Sequence, residues 1–458
     1  SGDLGLNGMA ICVGKLALYC AAAGFHPARV LPVVVDVGTD NEALRADPLY
    51  PGLARPRLRG AAYYAVMDEV VSALVSRWPR AVLQMEDFQL RHARPLLDRY
   101  RRHLCIFNDD IQGTAACAVA GVYGALAVQG LPPSAITAQR FVVVGAGSAG
   151  SGVTRMLAAG MVKHGLRAEE AAARFHVLDK DGLLSAARAG VDPVLAPFAA
   201  ANPAEFEGQG LEAVVGRVRP TGLIGLAGAG RLFTPGVLAA MGAAAARPLI
   251  MPMSNPQSAM ECTSADAARS IPGGRAIFAS GSPQPDVALG SDGKPLPPGA
   301  DREGGGGGTT TFASSQANNS SIFPGLALGA WLAGSTRVST AMLTAAAEAL
   351  PGLLTAEDLA QGRVYPSLAD PRRVAAHVAA RVLEAAAAEG RVTDRKAKKA
   401  LERAAEGGGG QGGAPAGAAT ATTLPPLDPL AAWVRGTMFE PAYKSAIRLP
   451  MGVRAERA

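Results

Sequence analysis

The chain has 458 residues, of which 49% are hydrophobic, so it is long enough for two or three domains with large cores. Its net charge is +6, but only 18% of its residues are charged and the basic ones are scattered, which argues against a nucleic-acid-binding protein. No apolar run reaches the roughly 18 residues that a membrane span needs, and we expect no membrane segment.

The cysteines and the start of the chain indicate its cellular context. The five cysteines form no CxxC pair, which predicts buried thiols in a reducing compartment. The chain opens at Ser1 with neither an initiator Met nor a targeting peptide. We therefore expect an N-terminally incomplete chain.

Residues 1–113 predict an N-terminal α/β catalytic domain with parallel strands. Apolar spacing predicts helices over 11–23 and 63–78 and a strand over 30–37. Two further strands, over 81–85 and 104–107, flank a helix over 91–101. Each of these two strands ends in a pair of carboxylates, which is the most informative feature of this region.

The paired carboxylates predict a site for a hard cation. Glu86 and Asp87 follow the first strand, and Asp109 and Asp110 follow the second. Four carboxylates at two strand ends can converge on one ion, and oxygen ligands suit Mg²⁺ or Mn²⁺. Lys15 lies in an apolar helical pattern, where it either reaches out to solvent or is a desolvated base with a lowered pKa.

A glycine-rich turn predicts a Rossmann-type, doubly wound NAD-binding domain. The strand over 141–144 leads into the GxGxxG turn, which opens a helix, so its backbone can approach a pyrophosphate. The residues of the turn assigned to the cofactor are Gly145, Gly147, Ser148, Ala149 and Gly150. Asp179 ends the next strand and favours NAD by accepting a ribose hydroxyl, while the adjacent Lys180 keeps NADP open.

The rest of the chain completes this domain and adds a tail. Further strands are predicted over 222–226, 249–253 and 276–279, with a buried helix over 114–129 and helices through 321–388. The predicted domains are residues 1–113 and 114–390, then a disordered Gly/Ala/Pro linker over 404–426 and a tail over 427–458. Five glycines at 304–308 predict a flexible insertion.

Three asparagines are candidate ligands for a carboxylate or carboxamide. Asn255 follows a predicted strand, and Asn318 and Asn319 precede an apolar helix. Amides at such termini can bind these groups, although helix capping explains the same spacing.

Several of these motifs, in order along the chain, resemble malic enzymes. The matching stretches include residues 2–16, 36–41, 86–88, 107–116, 145–150, 254–256, 279–283 and 318–325. The resemblance runs to about residue 390 and is greatest with the plant NAD-dependent mitochondrial type. It implies oxidative decarboxylation of malate to pyruvate and CO₂ with NAD and a divalent metal.

The resemblance also implies roles for individual residues. By position, Glu86, Asp87 and Asp110 match the metal ligands, Lys15 the base, and Asp109 the acid that pairs with it. Asn255 and Asn319 match malate-binding positions, and the glycine turn, Asp179 and Asn318 lie on the dinucleotide side. It further implies a homo- or hetero-oligomer in the mitochondrial matrix, with plastid or cytosol as alternatives.

Two family residues have no counterpart in this sequence. In malic enzymes a tyrosine donates a proton and an arginine grips the substrate carboxylate, and both would precede Ser1. A non-catalytic or regulatory subunit therefore stays open as an alternative. A dehydrogenase of another acid on the same two-domain plan is the third hypothesis.

Overall fold

The computed structural model of the protein describes residues 3–201, 209–297, 310–407 and 424–441. The five-glycine insertion and the tail beyond residue 441 lie outside these ranges. The helices are α1 (Met9–Ala21), α2 (Glu42–Ala46), α3 (Gly60–Arg77), α4 (Leu90–Tyr100), α5 (Thr114–Val128), α6 (Ser148–Lys163), α7 (Ala168–Ala172), α8 (Leu211–Val218), α9 (Pro235–Ala244), α10 (Ser264–Ser270), α11 (Phe323–Ala333), α12 (Thr340–Ala349), α13 (Ala356–Gln361), α14 (Pro371–Ala388), α15 (Arg395–Gly407) and α16 (Pro429–Thr437). The strands are β1 (Leu83–Met85), β2 (Ile106–Asn108), β3 (Phe141–Val144), β4 (Phe175–Asp179), β5 (Gly182–Leu183), β6 (Gly222–Gly225), β7 (Leu249–Pro252), β8 (Ile277–Ser280), β9 (Val287–Leu289), β10 (Thr310–Phe312) and β11 (Ser314–Gln316).

A seven-stranded sheet forms the centre of the larger part of the chain. Its strand order is β11-β8-β7-β6-β3-β4-β5, and only β5 runs antiparallel to its neighbour. The chain leaves β3 toward β4 and later returns on the other side of β3 to form β6. A doubly wound sheet binds its ligand at such a reversal, so the predicted Rossmann-type fold is confirmed.

The composition of β3 explains its central position. All four of its residues, Phe-Val-Val-Val, are buried. A parallel strand covered by helices on both faces has no solvent side, so it reads as a continuous apolar run. The β-branched side chains suit this pleated, enclosed environment.

Helix α5 lies in the main hydrophobic core and joins the two parts of the chain. Apart from Thr114 and Ala127 it is buried throughout, and it packs against α6 and α12. Together with the preceding turn, Asp109–Val128 is long and apolar enough to cross a membrane, but 83% of the tested stretch is buried in the fold. Core packing therefore accounts for its apolar composition.

The N-terminal part has its own small core. Strands β1 and β2 pair in parallel, with Met85 opposite Asn108. Helices α3 and α4 contribute apolar side chains to a cluster that includes Tyr63, Met67 and Leu96. The two carboxyl strand ends consequently lie side by side, as the sequence predicts.

The predicted strand over 30–37 is wrong. Residues 30–39 have no regular secondary structure, and no strand in the described part of the chain pairs with them. Pro32 lacks the backbone N–H that a ladder needs, and Leu31, Val33 and Val34 remain exposed.

The prediction of a disordered linker over 404–426 is wrong for its first and last residues, which have defined structure. Helix α15 continues to Gly407, and the carbonyls of Leu424 and Pro425 accept hydrogen bonds from Arg373. Residues 408–423 lie outside the described ranges. The helix continues because Ala, Leu, Glu and Arg in its last turns are strong helix formers.

Candidate active site

Lys15 lies between two carboxylates from different elements. Its ammonium group forms ion pairs with Glu86, at 3.3 Å, and with Asp109, whose side chain is fully buried. The same ammonium lies 4.6 Å from the centre of the Phe323 ring. The structure therefore brings together side chains from α1, the end of β1, the end of β2 and the start of α11.

The predicted behaviour of Lys15 needs correction. The side chain points inward instead of reaching out to solvent, with 21% of it exposed. Burial lowers its pKa, but the attraction of Asp109 and Glu86 outweighs burial, so its pKa is raised rather than lowered. In this arrangement the lysine is a protonated partner of the two acids.

Two acids of the site, Glu86 and Asp110, hold protons more tightly than usual. Burial raises the pKa of Glu86 to about 7, and the charge of Asp110 acts in the same direction. Burial also raises the pKa of Asp110, against a 2.7 Å hydrogen bond from the backbone N–H of Asp87. Asp87 has a left-handed backbone with φ of 56°, so the chain turns sharply directly after β1.

The donor chemistry of this cluster fits a divalent cation. Three carboxylates, those of Glu86, Asp109 and Asp110, act on a single lysine, and the buried Oδ1 of Asp109 has no hydrogen-bond partner within the described structure. A second positive charge would offset this excess. No three His, Cys, Asp or Glu side chains of the described ranges surround a common point, so Glu86, Asp87 and Asp110 are neighbours rather than a formed metal cage.

Asn319 links the acidic turn to the dinucleotide-binding part. Its Nδ2 donates to the backbone oxygen of Asp109 at 3.1 Å and to Thr114 at 3.2 Å. Its neighbour Asn318 accepts a hydrogen bond from the N–H of Ser320 and so caps a short turn. Asn255 is exposed in the loop after β7 and accepts from Ser282; within the described residues it makes no hydrogen bond with the acidic cluster.

The glycine-rich turn has the geometry expected of a phosphate-binding loop. Gly145 has φ of 122°, and a Cβ atom on Gly150 would lie 1.8 Å from the backbone oxygen of Gly145. A Cβ atom on Gly147 would meet nothing within 4 Å, so this glycine faces open space at the start of α6. Helix α6 also packs against the acidic turn: a Cβ on Gly152 would lie 3.3 Å from the oxygen of Ile111. The loop and the acids therefore share one region of the protein.

Asp179 is located at the end of β4, as predicted, but it already has a partner. Arg188 donates to both carboxylate oxygens, at 3.0 and 2.8 Å, and its hydrogen bonds help to lower the pKa of Asp179 against the effect of burial. The neighbouring Lys180 pairs with Asp181. The two positive charges at this strand end are thus matched by two negative ones.

Sequence reasoning missed several residues that organise the site. Gln84 accepts from the buried hydroxyl of Tyr19 and donates to Glu86 at 3.0 Å. Gln84 is two residues before Glu86 in a strand, so the two-residue alternation could have placed both on one face. Arg94 of α4 donates to Ser151 of α6, and no sequence signal joins those two positions.

Another missed residue is the buried Glu261. Its carboxylate accepts hydrogen bonds from the Ser254 hydroxyl and from the N–H of Ala227 at 3.2 Å. These partners belong to the loops after β7 and β6, so Glu261 joins two loops at the carboxyl edge of the sheet. Burial raises its pKa despite these bonds.

Comparisons with known proteins agree with this architecture. The family model described as "Malic enzyme, NAD binding domain" matches residues 111–387, and "Malic enzyme, N-terminal domain" matches residues 1–101. The mitochondrial NAD-dependent malic enzyme 59 kDa isoform of Solanum tuberosum is 45% identical over 395 residues, which cover 85% of this chain and 62% of that protein. The NADP-dependent malic enzyme of Mus musculus is 40% identical, over 84% of this chain and 63% of that protein. The chain thus spans less than two thirds of these relatives.

A solved structure supports the fold. The malic enzyme from Pyrococcus horikoshii superposes with a TM-score of 0.58 at 20% identity, covering 88% of this chain and 79% of that one. The first family model alone spans more than half of the sequence. This chain belongs to the malic enzyme family.

Proposed function

We propose that this protein catalyses the oxidative decarboxylation of malate to pyruvate and CO₂ with reduction of NAD. The observation that carries the proposal is the position of Lys15, held by Glu86 and Asp109 beside Asp110. This cluster lies against the helix that follows the glycine-rich turn. A proton acceptor, oxygen ligands and a dinucleotide loop in one region suit this chemistry.

The proposed metal ligands are Glu86, Asp87 and Asp110, for Mg²⁺ or Mn²⁺. When bound, the ion would polarise the substrate hydroxyl and stabilise negative charge on that oxygen, and NAD would supply the hydride acceptor. Asp109 is the positioning residue that holds Lys15. Its unpartnered oxygen supports a cationic environment around it.

Lys15 is the proposed base for the substrate hydroxyl. It must first lose a proton, because Asp109 and Glu86 raise its pKa. Neutralising the charge of these acids with a cation would weaken that stabilisation and lower the pKa of Lys15 toward the working range. Asn255 and Asn319 are proposed to hold malate, and Asn319 is already anchored to Asp109 and Thr114.

NAD is the proposed cofactor. Gly145, Gly147, Ser148, Ala149 and Gly150 would hold the pyrophosphate at the start of α6, with Asp179 and Asn318 at the sides of the crevice. The balanced charges of Asp179, Asp181, Lys180 and Arg188 leave no excess positive charge for a 2′-phosphate. This supports NAD over NADP.

We also propose a mitochondrial location and an oligomeric assembly. The plant relatives that the chain resembles are named as mitochondrial proteins. Exposed apolar side chains on and after α1 suit a subunit interface. The domain boundary is proposed at about residue 113, where the acidic turn leads into α5.

The test is turnover by the full chain with malate, NAD and Mn²⁺. We expect NADH and CO₂ in equal amounts, and loss of roughly 100-fold or more of this activity in Asp110→Ala because a metal ligand is removed. Asp47→Ala, a change of the same type in an exposed turn, is the matched control.

Two outcomes would contradict this function, and a third would contradict the assignment of Asp110. Turnover without CO₂ would indicate a dehydrogenase of another acid. NAD binding without turnover would indicate a non-catalytic subunit. Unchanged Mn²⁺ dependence in Asp110→Ala would remove Asp110 from the metal site.

A further inference from the structure

A cleft of about 450 Å³ lies away from the acidic cluster, and five arginines are among its eleven lining residues. Its walls come from the end of α4, the outer side of α6, the start of α12 and the segment after α14. The five guanidinium groups are those of Arg101, Arg102, Arg155, Arg337 and Arg391. None of these residues belongs to the proposed active site.

Positive charge in the cleft exceeds negative charge. The two acidic side chains in its wall are Asp98 and Glu389, so five positive groups face two negative ones. Glu389 pairs with Arg391 at 2.9 Å, and Asp98 lies 3.8 Å from Arg101. Three arginines are left without an acidic partner in the described part of the protein.

Those three arginines are Arg102, Arg155 and Arg337. Their guanidinium groups make no hydrogen bond or ion pair with the described residues. Burial lowers the pKa of Arg101, and Arg155 and Arg102 act in the same direction against the attraction of Asp98. Several positive guanidinium groups therefore lie close together in the cleft, and few negative groups offset their repulsion.

The start of α12 adds hydrogen-bond donors to the same cleft. Ser339 caps this ten-residue helix by accepting from the N–H of Met342. Thr340 and Ala341 line the cleft, and their backbone amides have no acceptor among the described residues. Free amides at a helix start favour an anion, and guanidinium groups bind phosphate oxygens in pairs.

We propose that this cleft binds a small phosphorylated organic molecule at a site separate from the active site. A bare phosphate would fill little of the volume, which lies in the range of pockets for organic ligands. The phosphate group would lie among Arg155, Arg337 and the α12 amides, with the organic part along the remaining wall. This inference does not depend on the proposed reaction.

The position of the cleft connects it to both halves of the protein. Arg101 and Arg102 directly follow α4 and precede β2, the strand that leads into the acidic turn. Arg155 lies on α6, the helix that begins at the glycine-rich turn. An anion bound between them would tie the N-terminal part to the dinucleotide-binding part.

The experiment uses the full chain and three probes: glucose 6-phosphate, glucose and inorganic phosphate. Binding is followed by calorimetry and by the midpoint of thermal unfolding at low ionic strength. We expect saturable binding of glucose 6-phosphate, weaker binding of inorganic phosphate, no binding of glucose, and weakening of both anions as salt is added.

Substitutions separate the cleft from general surface charge. Arg155→Gln and Arg337→Gln are each expected to weaken glucose 6-phosphate binding about tenfold. Arg403→Gln removes the same charge from an exposed face of α15 and should leave binding unchanged. Neither Arg155 nor Arg337 is buried in a hydrophobic core, so both can be replaced without leaving a cavity. Unchanged unfolding midpoints without ligand will verify that the variants are folded.

Two results would overturn the proposal. Equal weakening by Arg403→Gln and Arg155→Gln would show only general attraction of anions to a basic protein. Equal affinity for inorganic phosphate and glucose 6-phosphate would show that no organic molecule is recognised. Because the readout is binding, neither result depends on malate turnover.

Discussion

At the scale of single residues, Glu86 couples the acidic cluster to pH. Burial raises its pKa to about 7, whereas the ordinary value for the unfolded chain is about 4.3. Between these values the folded state keeps a proton that the unfolded state has lost. Without a cation, stability therefore falls as pH rises across this window.

We predict that Mn²⁺ affinity rises with pH and levels off above about 7. A cation bound to Glu86 must displace its proton, so affinity should increase by up to about tenfold per pH unit below 7. Calorimetric titration with Mn²⁺ at pH 5.5, 6.5 and 7.5 measures this. The Glu86→Gln protein should bind Mn²⁺ more weakly and lose this contribution to the pH dependence of Mn²⁺ affinity. A Mn²⁺ affinity that does not change with pH in the unsubstituted chain would contradict the assignment of Glu86 as a ligand.

At the scale of elements, the β3–α6 turn assigns different tasks to its glycines. Gly150 is needed for packing, because a Cβ atom there would lie 1.8 Å from the oxygen of Gly145. Gly147 is not needed for packing, because a Cβ atom there meets open space. The open space lies where a pyrophosphate would approach.

We predict that two alanine substitutions in this turn have different effects, one mainly on stability and the other mainly on NAD binding. Gly150→Ala should destabilise the protein by about 3 kcal/mol, through overpacking. Gly147→Ala should cost less than about 1 kcal/mol of stability but weaken NAD binding about tenfold, by keeping the pyrophosphate from the backbone. Thermal unfolding and NAD titration measure the two effects, and a Gly147→Ala protein with normal NAD affinity would exclude this loop as the phosphate site.

At the scale of the whole molecule, the N-terminal part leaves apolar side chains in contact with solvent. Leu31 is 53% exposed and Val33 is 42% exposed, next to an α1 helix in which only Tyr19 is buried. Exposed apolar side chains concentrated in one segment mark interaction surfaces. This segment is therefore the candidate for the subunit interface proposed above.

We predict that Leu31→Asp combined with Val33→Asp shifts the protein toward smaller assemblies. Burying two carboxylates at an interface is costly, so association should weaken by at least tenfold. Sedimentation analysis over a range of concentrations measures this. Leu49→Asp, at a residue that is 86% exposed, is the control, and an assembly that tolerates the double substitution would place the interface elsewhere.

Local patterns along the sequence were sufficient for much of this protein. The four-residue apolar run of β3, the glycines that follow it and the acids at the ends of β1 and β2 act over a few residues. Their chemistry depends on residue type and short spacing, so the Rossmann-type sheet and the identity of the acids could be predicted. The same local reasoning failed at 30–37, where apolar residues indicated a strand but no strand in the described part of the chain pairs with them.

Only the tertiary structure decided how these parts act on one another. The pKa of Lys15 is raised because Asp109, 94 positions away, lies against it, and Asp179 is paired because Arg188 folds back onto its strand end. The arginine cleft likewise assembles residues from four separate elements. Charge interactions depend on distance and burial in space, which sequence spacing does not contain, so the sequence determined which groups are present and the fold determined which of them are charged, paired or left free.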